Sequence, residues 1–236
     1  MTHALLVAGL LLTALACSDP YVNEPYKPDP TPWLATCGDT ALDWQDATCP
    51  DANWQMPTCT PVVAMDAPEQ GHDIVALPAP LTYAESPPLS GNHRPDWARW
   101  GEYAFLPPQR WVYNLQLGGV VVLYNPCVAA PLVETLRQFL RDQPADATGA
   151  YRWVLTPYPN LKTPFALVTW RHSLSGNCFD PVAALAFVQA HYRQAPEDNA
   201  AQGAYAYAWI GKAGYLLTGP VTADGLCLPD TAPDAQ

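Results

Sequence analysis

Apolar residues fall along this chain in runs whose length and period separate strands from helices. "YRWVLT" (151–156) and "FALVTW" (165–170) are aromatic and β-branched and flank "PYPNLKTP", so they read as two strands joined by a proline-held loop. "VVVLY" (120–124) is a third such run, and "WVYNLQL" (111–117) ahead of it is read the same way. On a regular strand Trp111, Tyr113, Leu115 and Leu117 share a face while Gln116 turns away; on a helical turn Tyr113, Gln116 and Leu117 would cluster instead. The Gly118-Gly119 pair is then a tight hairpin turn or a bulge. Helical period appears after Pro131, where Leu132, Val133, Leu136, Phe139 and Leu140 share a face opposite Glu134, Arg137, Gln138 and Arg141. Asp180-Pro181 opens a second helix carrying Val182, Leu185, Ala186 and Val188, which must stop before Pro196. "YAYAWIGKAGYLLTG" alternates through Tyr205, Tyr207 and Trp209 and adds a strand or hairpin. The expectation is an α+β domain over 66–228: a small, mostly antiparallel sheet with two packed helices, two strands and a helix recurring twice. Connections of eight or more residues also permit mixed pairing.

Ahead of this domain the pattern changes. "MTHALLVAGLLLTALAC" holds an apolar run too short to span a bilayer and marks residues 1–16 as an export signal. Ala14-Leu15-Ala16-Cys17 resembles the bacterial lipobox, which implies acylation of Cys17. At about 0.8 kcal/mol per buried methylene, several acyl chains hold a protein firmly to a membrane. The absence of Lys and Arg before the run, and Ala14 where Leu is usual, leave a plain secretory signal or a misplaced start codon as the alternatives. Residues 17–32 are a proline-rich tether. "WLATC", "WQDATC" and "WQMPTC" then repeat within 33–65, a disulfide-rich cap whose indoles pack on sulfur or, alternatively, offer faces to sugars. Residues 229–236 read as a disordered tail.

In an exported chain, Cys37, Cys49, Cys59, Cys127, Cys178 and Cys227 are disulfide candidates. If all pair, at least one bridge joins cap to domain, since three lie on each side; Cys127 with Cys178, each just ahead of a helix, is the preferred single pair. No C-x-x-C is present, which argues against a zinc knuckle or a thioredoxin-type pair. A net charge of -11 without any Lys/Arg run argues against nucleic acid as a partner.

Candidate chemistry rests on histidines. His172 beside Ser173 lacks a nucleophile elbow, and His191 fits as a helix C-terminal cation. His72 in "EQGHDIV" and His93 in "SPPLSGNHRPDW" stand in loop sequence, where ligands and catalysts concentrate.

"YAESPPLSGNHRPDWARWGEY" followed by "RWVYNLQLGGVVVLYNP" resembles an uncharacterised bacterial extracytoplasmic family, the domain of unknown function numbered 3105, over roughly residues 66–197. Tyr83, Pro87, Pro88, Ser90, Gly91, His93, Trp97, Gly101 and Tyr103 carry the first part, and "TPYPNLKTPFALVTW" and "CFD" the later parts. The family's next block reads His-Asn-x-Glu-His-Gly-Gly. Here Tyr113, Gln116 and Leu117 stand at its His, Glu and His, while Asn114, Gly118 and Gly119 stay. A His/Glu set with two loop histidines would suit Zn, Cu, Ni or Fe, and each substitution removes donor strength. The resemblance therefore implies a degenerate site at Tyr113, Asn114, Gln116 and Leu117, with Asn114 kept for a backbone hydrogen bond.

The expected protein is a bacterial envelope lipoprotein facing the periplasm or exterior, membrane-held through Cys17, with a non-catalytic binding or structural role and no cofactor. A divalent metal on His72 and His93, helped by Asp73, Asp96 or a tail residue, is the alternative. Partners to consider are another envelope protein or cell-wall glycan stacked on Trp33, Trp44, Trp54, Trp97 or Trp100. Hydrolysis would need an activated nucleophile that the sequence does not offer.

Overall fold

The structure is a computed structural model that describes residues 63–211 apart from 77, 78, 80, 127, 159, 160, 207 and 208. The expected signal, tether and tail, and the cap up to residue 62, with Cys17, Trp33, Trp44 and Trp54, therefore lie outside the described residues, as do Cys37, Cys49, Cys59, Cys127 and Cys227. Cys178 takes part in a disulfide.

Seven strands form one sheet: β1 (Val63–Asp66), β2 (Gly101–Tyr103), β3 (Val120–Tyr124), β4 (Trp153–Pro157), β5 (Phe165–Thr169), β6 (His172–Gly176) and β7 (Trp209–Gly211), in the order β1-β6-β5-β3-β4-β2-β7. The pairings β3/β4 and β4/β2 are parallel, and the others antiparallel. The sheet is thus larger and more mixed than the expected small, mostly antiparallel one. Three helices, rather than two, occur among the described residues: α1 (Pro108–Gln116), α2 (Ala130–Arg141) and α3 (Pro181–His191).

The central strands are apolar on both faces because both faces are covered. Along β3, Val121 and Leu123 enter one core with Trp111, Val112 and Leu115 of α1, while Val120 and Val122 enter the other with Leu136 and Leu140 of α2 and Phe187 and Val188 of α3. Strand alternation continues through Val154 and Leu155 of β4 and through Val168 and Leu167 of β5. At roughly 1.5–3 kcal/mol per buried Val or Leu, this double layer dominates the stabilisation.

The expected strand at 111–117 is a helix. Pro108 lies in its first turn with an extended residue, Pro107, before it, where a missing N–H costs nothing. Its end is a Schellman turn: Gly118 N–H donates to the Leu115 carbonyl at 3.0 Å and Gly119 N–H to the Asn114 carbonyl at 3.0 Å. Gly118 has φ +83°, a conformation an L side chain enters only at a cost, so the glycine pair stops a helix rather than turning a hairpin. Every residue of α1 is buried, its polar Gln109, Arg110, Asn114 and Gln116 included, so no stripe of its sequence marks a solvent face. The strand-strand-helix recurrence fails for the same reason, since its first strand is α1.

The carbonyls at the C-terminal end of α1 are covered by the chain that follows α3 and by Arg152, just ahead of β4. Arg193 N–H donates to Gly118 O (2.9 Å), Glu197 N–H to Gln116 O (3.0 Å) and the Arg152 guanidinium to Leu117 O (2.8 Å). Arg152 is wholly buried and also meets Asp198 at 2.6 Å and Asp146 at 3.4 Å. Although burial works against it, hydrogen bonds from Thr148 and Tyr192 and the Arg152 charge hold the Asp146 carboxyl well below the usual range.

α2 presents the expected apolar face, but Arg137 on its other side reaches Glu102 of β2 with two contacts of 2.7 Å. Asp180 caps α3 by accepting from the N–H groups of Val182 and Ala183. Its inward face is Ala184, Phe187 and Val188, whereas Val182 and Leu185, expected inside, are exposed. A helix this apolar all round does not announce its buried side.

Candidate functional site

His93 is fixed through its backbone before its ring does anything. Residues 73–75 run alongside it: His93 N–H donates to Asp73 O (3.0 Å) and Val75 N–H to His93 O (2.8 Å). The next residue, Arg94, is tied to the start of α1 by its N–H to Gln109 O (2.9 Å), and its buried guanidinium donates to the carbonyls of Val75, Ala76 and Ala79. The His93 ring consequently points into the protein and is buried.

One turn of α1 meets that ring. Residues three apart on a helix are surface neighbours, so Tyr113 and Gln116 both face His93. The tyrosine ring stacks on it with centroids 3.8 Å apart and 17° between planes, and Trp97 closes edge-on against Tyr113 at 5.3 Å. Gln116 Oε1 lies 2.8 Å from His93 Nε2, and its amide N–H donates to Glu197 Oε1, also at 2.8 Å. His93 Nδ1 faces the Arg94 carbonyl at 3.0 Å. Both ring nitrogens thus meet carbonyl oxygens, which only an imidazolium could satisfy together. Burial, with a smaller contribution from His72, pulls the His93 pKa below its ordinary value, while the Arg94 and Gln116 hydrogen bonds and the Glu197 charge oppose the shift.

The other residues of the block divide by direction. Asn114 faces away and clasps both backbone groups of Ala98, its Oδ1 accepting from Ala98 N–H (2.9 Å) and its amide donating to Ala98 O (2.8 Å). Leu117 is fully buried in the core. His72 is exposed, with Nδ1 at 2.5 Å from Glu69 Oε1. Asp73 is exposed, and Asp96 lies 3.9 Å from the buried Arg110 guanidinium. Trp100 is buried with its indole N–H on Ala201 O, so it offers no face to a sugar, while Trp97 is part-buried. The structure therefore joins His93, Tyr113 and Gln116 and leaves His72 above them at the surface.

Sequence reasoning missed Glu197, 81 residues from the glutamine it bonds. Nothing local marks it, because it sits in a polar stretch that becomes informative only once folded across α1.

The donors at the block do not fit a divalent ion. Gln116 occupies His93 Nε2, Tyr113 lies flat over the ring and Leu117 has no donor. Zinc sites use three or four ligands, and no group of three or more His, Cys, Asp or Glu among the described residues could hold a metal.

His172 and His191 form a separate pair. His172 Nδ1 is 2.6 Å from Asp66 Oδ1, and the two imidazoles stack at 3.9 Å. Burial, then the neighbouring His172, lowers the His191 pKa, which weakens the expected role as a helix-end cation.

Fold and site together define an α+β domain with helices on both faces of a mixed sheet, organised around a buried histidine in a hydrogen-bonded cluster. The chain belongs to the family described as Protein of unknown function (DUF3105), whose model matches residues 75–204. No curated protein and no solved structure matches it.

Proposed function

We propose that this protein is a bacterial envelope lipoprotein, held to a membrane through Cys17, whose domain binds or scaffolds without catalysing a reaction. The observation that carries this reading is the engagement of His93: its ring is stacked, buried and bonded to a glutamine that is itself bonded to Glu197. A general base or metal ligand needs an accessible lone pair, and this arrangement commits the ring to packing instead. The apolar export segment and the cysteine after it support the anchor.

A divalent ion on His72 and His93 is the competing reading, and it would have to displace Gln116 from Nε2. Fractionation tests the anchor. The native chain should enter the membrane fraction and take up labelled palmitate, and Cys17→Ala should do neither. A Cys17→Ala chain that stays acylated and membrane-bound would refute the assignment.

A further inference from the structure

Two non-glycine residues among those described adopt positive φ, Arg171 at 69° and Arg193 at 63°. Glycine or asparagine would take that conformation more cheaply. Both arginines line the same shallow depression of about 330 Å³, together with Glu69, Trp170, His172 and Gln194. Costly backbone at two sites that converge on one concavity points to the side chains as the reason for them.

Arg171 occupies the two-residue turn between β5 and β6 and is pinned on every side. Its N–H donates to Leu89 O (2.7 Å), its carbonyl accepts from Ala67 N–H (2.9 Å), and its Nε donates to Ala67 O (2.9 Å). With Nε committed, the two Nη groups have no hydrogen-bond partner among the described residues. Arg193 is different, since Asp198 takes its Nε and Nη2. Glu69 engages His72 through Oε1 alone, and His172 is bonded to exposed Asp66. The depression thus offers one guanidinium edge without a hydrogen-bond partner among the described residues, whose charge also acts on Asp66, and a carboxylate with one oxygen unclaimed.

We infer that this depression is a binding site for a small zwitterion, an amino acid or the end of a short peptide, with its carboxylate on Arg171 and its ammonium on Glu69. A guanidinium fork matches a carboxylate in two parallel hydrogen bonds. Arg193, partly neutralised by Asp198, adds positive potential at the same wall. The site is separate from the His93 cluster, so it stands or falls independently of the role proposed there.

Isothermal titration of the full chain with alanyl-alanine tests the inference, using the N-acetyl and C-terminal amide derivatives as comparisons. Saturable binding of the free dipeptide is expected, weakened at least tenfold by either blocking group. Arg171→Gly removes the guanidinium, and with it the Nε bond to Ala67 O, at a φ that glycine adopts freely; it should weaken binding at least tenfold, with a thermal scan confirming that the variant is folded. Glu69→Gln should weaken the free dipeptide but leave the N-acetyl form unchanged. No saturable binding by the native chain, equal binding after Arg171→Gly, or equal affinity for the blocked forms would overturn the assignment.

Discussion

Replacing Gln116 with Met removes both hydrogen bonds of the His93–Gln116–Glu197 chain while keeping an unbranched side chain of similar length. The two losses differ in size. His93 Nε2 is buried, and an unsatisfied buried donor costs about 1–3 kcal/mol. Glu197 is exposed, so water replaces its lost partner at a cost below about 1 kcal/mol. Similar volume leaves little cavity penalty. The expected destabilisation is about 1–4 kcal/mol, and at about 2–4 °C per kcal/mol for a domain of this size the melting temperature should fall by about 2–16 °C. Urea unfolding followed by circular dichroism measures the first quantity and a thermal scan the second. Glu197→Gln should cost under about 1 kcal/mol. Since removing both partners of a buried bond is cheaper than removing one, His93→Phe in the Gln116→Met background should cost less than the two single changes added. A Gln116→Met chain within about 0.5 kcal/mol of native, the range of ordinary surface changes, would show that the amide holds nothing.

Other consequences can be checked on the same protein. The lowered His93 pKa means that the folded state resists protonation: its contribution is present above the unfolded histidine value of about 6.5 and is lost as pH falls from there through the lower folded pKa. His191 acts with the same sign, so urea midpoints should decline below about pH 6.5 and His93→Phe should remove only part of that slope. Gly119→Ala would place a methyl 2.4 Å from the Trp100 ring and 3.1 Å from the Asn114 carbonyl; urea unfolding should show a loss of about 2–3 kcal/mol. Arg152→Met strips the α1 terminus of a donor and Asp146 and Asp198 of their shared cation, and should cost about 3 kcal/mol with faster amide exchange at 193–199.

How much of this was legible depends on what surrounds each element. β3, β4 and β5 were readable because covered strands concentrate Val, Leu and aromatics in short runs. α2 was readable because one side faces water. α1 was misread because it is buried all round; the signals that reveal it are its flanks, Pro107-Pro108 before and Gly118-Gly119 after, rather than its interior. α3 was placed correctly by Asp180-Pro181, yet its apolar outer side hid which residues face the core. At the site, His93 and the Tyr113-Asn114-Gln116-Leu117 block could be singled out, but their meeting could not, since it requires α1 to be helical. Glu197 was out of reach, because the chain returns over α1 only after β6 and α3 are in place.

The central claim is that His93 is committed to the fold rather than to an ion. Mass-spectrometric metal content tests it, measured on the full chain after exposure to Zn, Cu or Ni and on the His72→Ala/His93→Ala variant. The account predicts less than stoichiometric metal in the native chain and no difference in the variant. One equivalent of metal retained by the native chain and lost from the variant would contradict it, and would make metal handling the function of this domain.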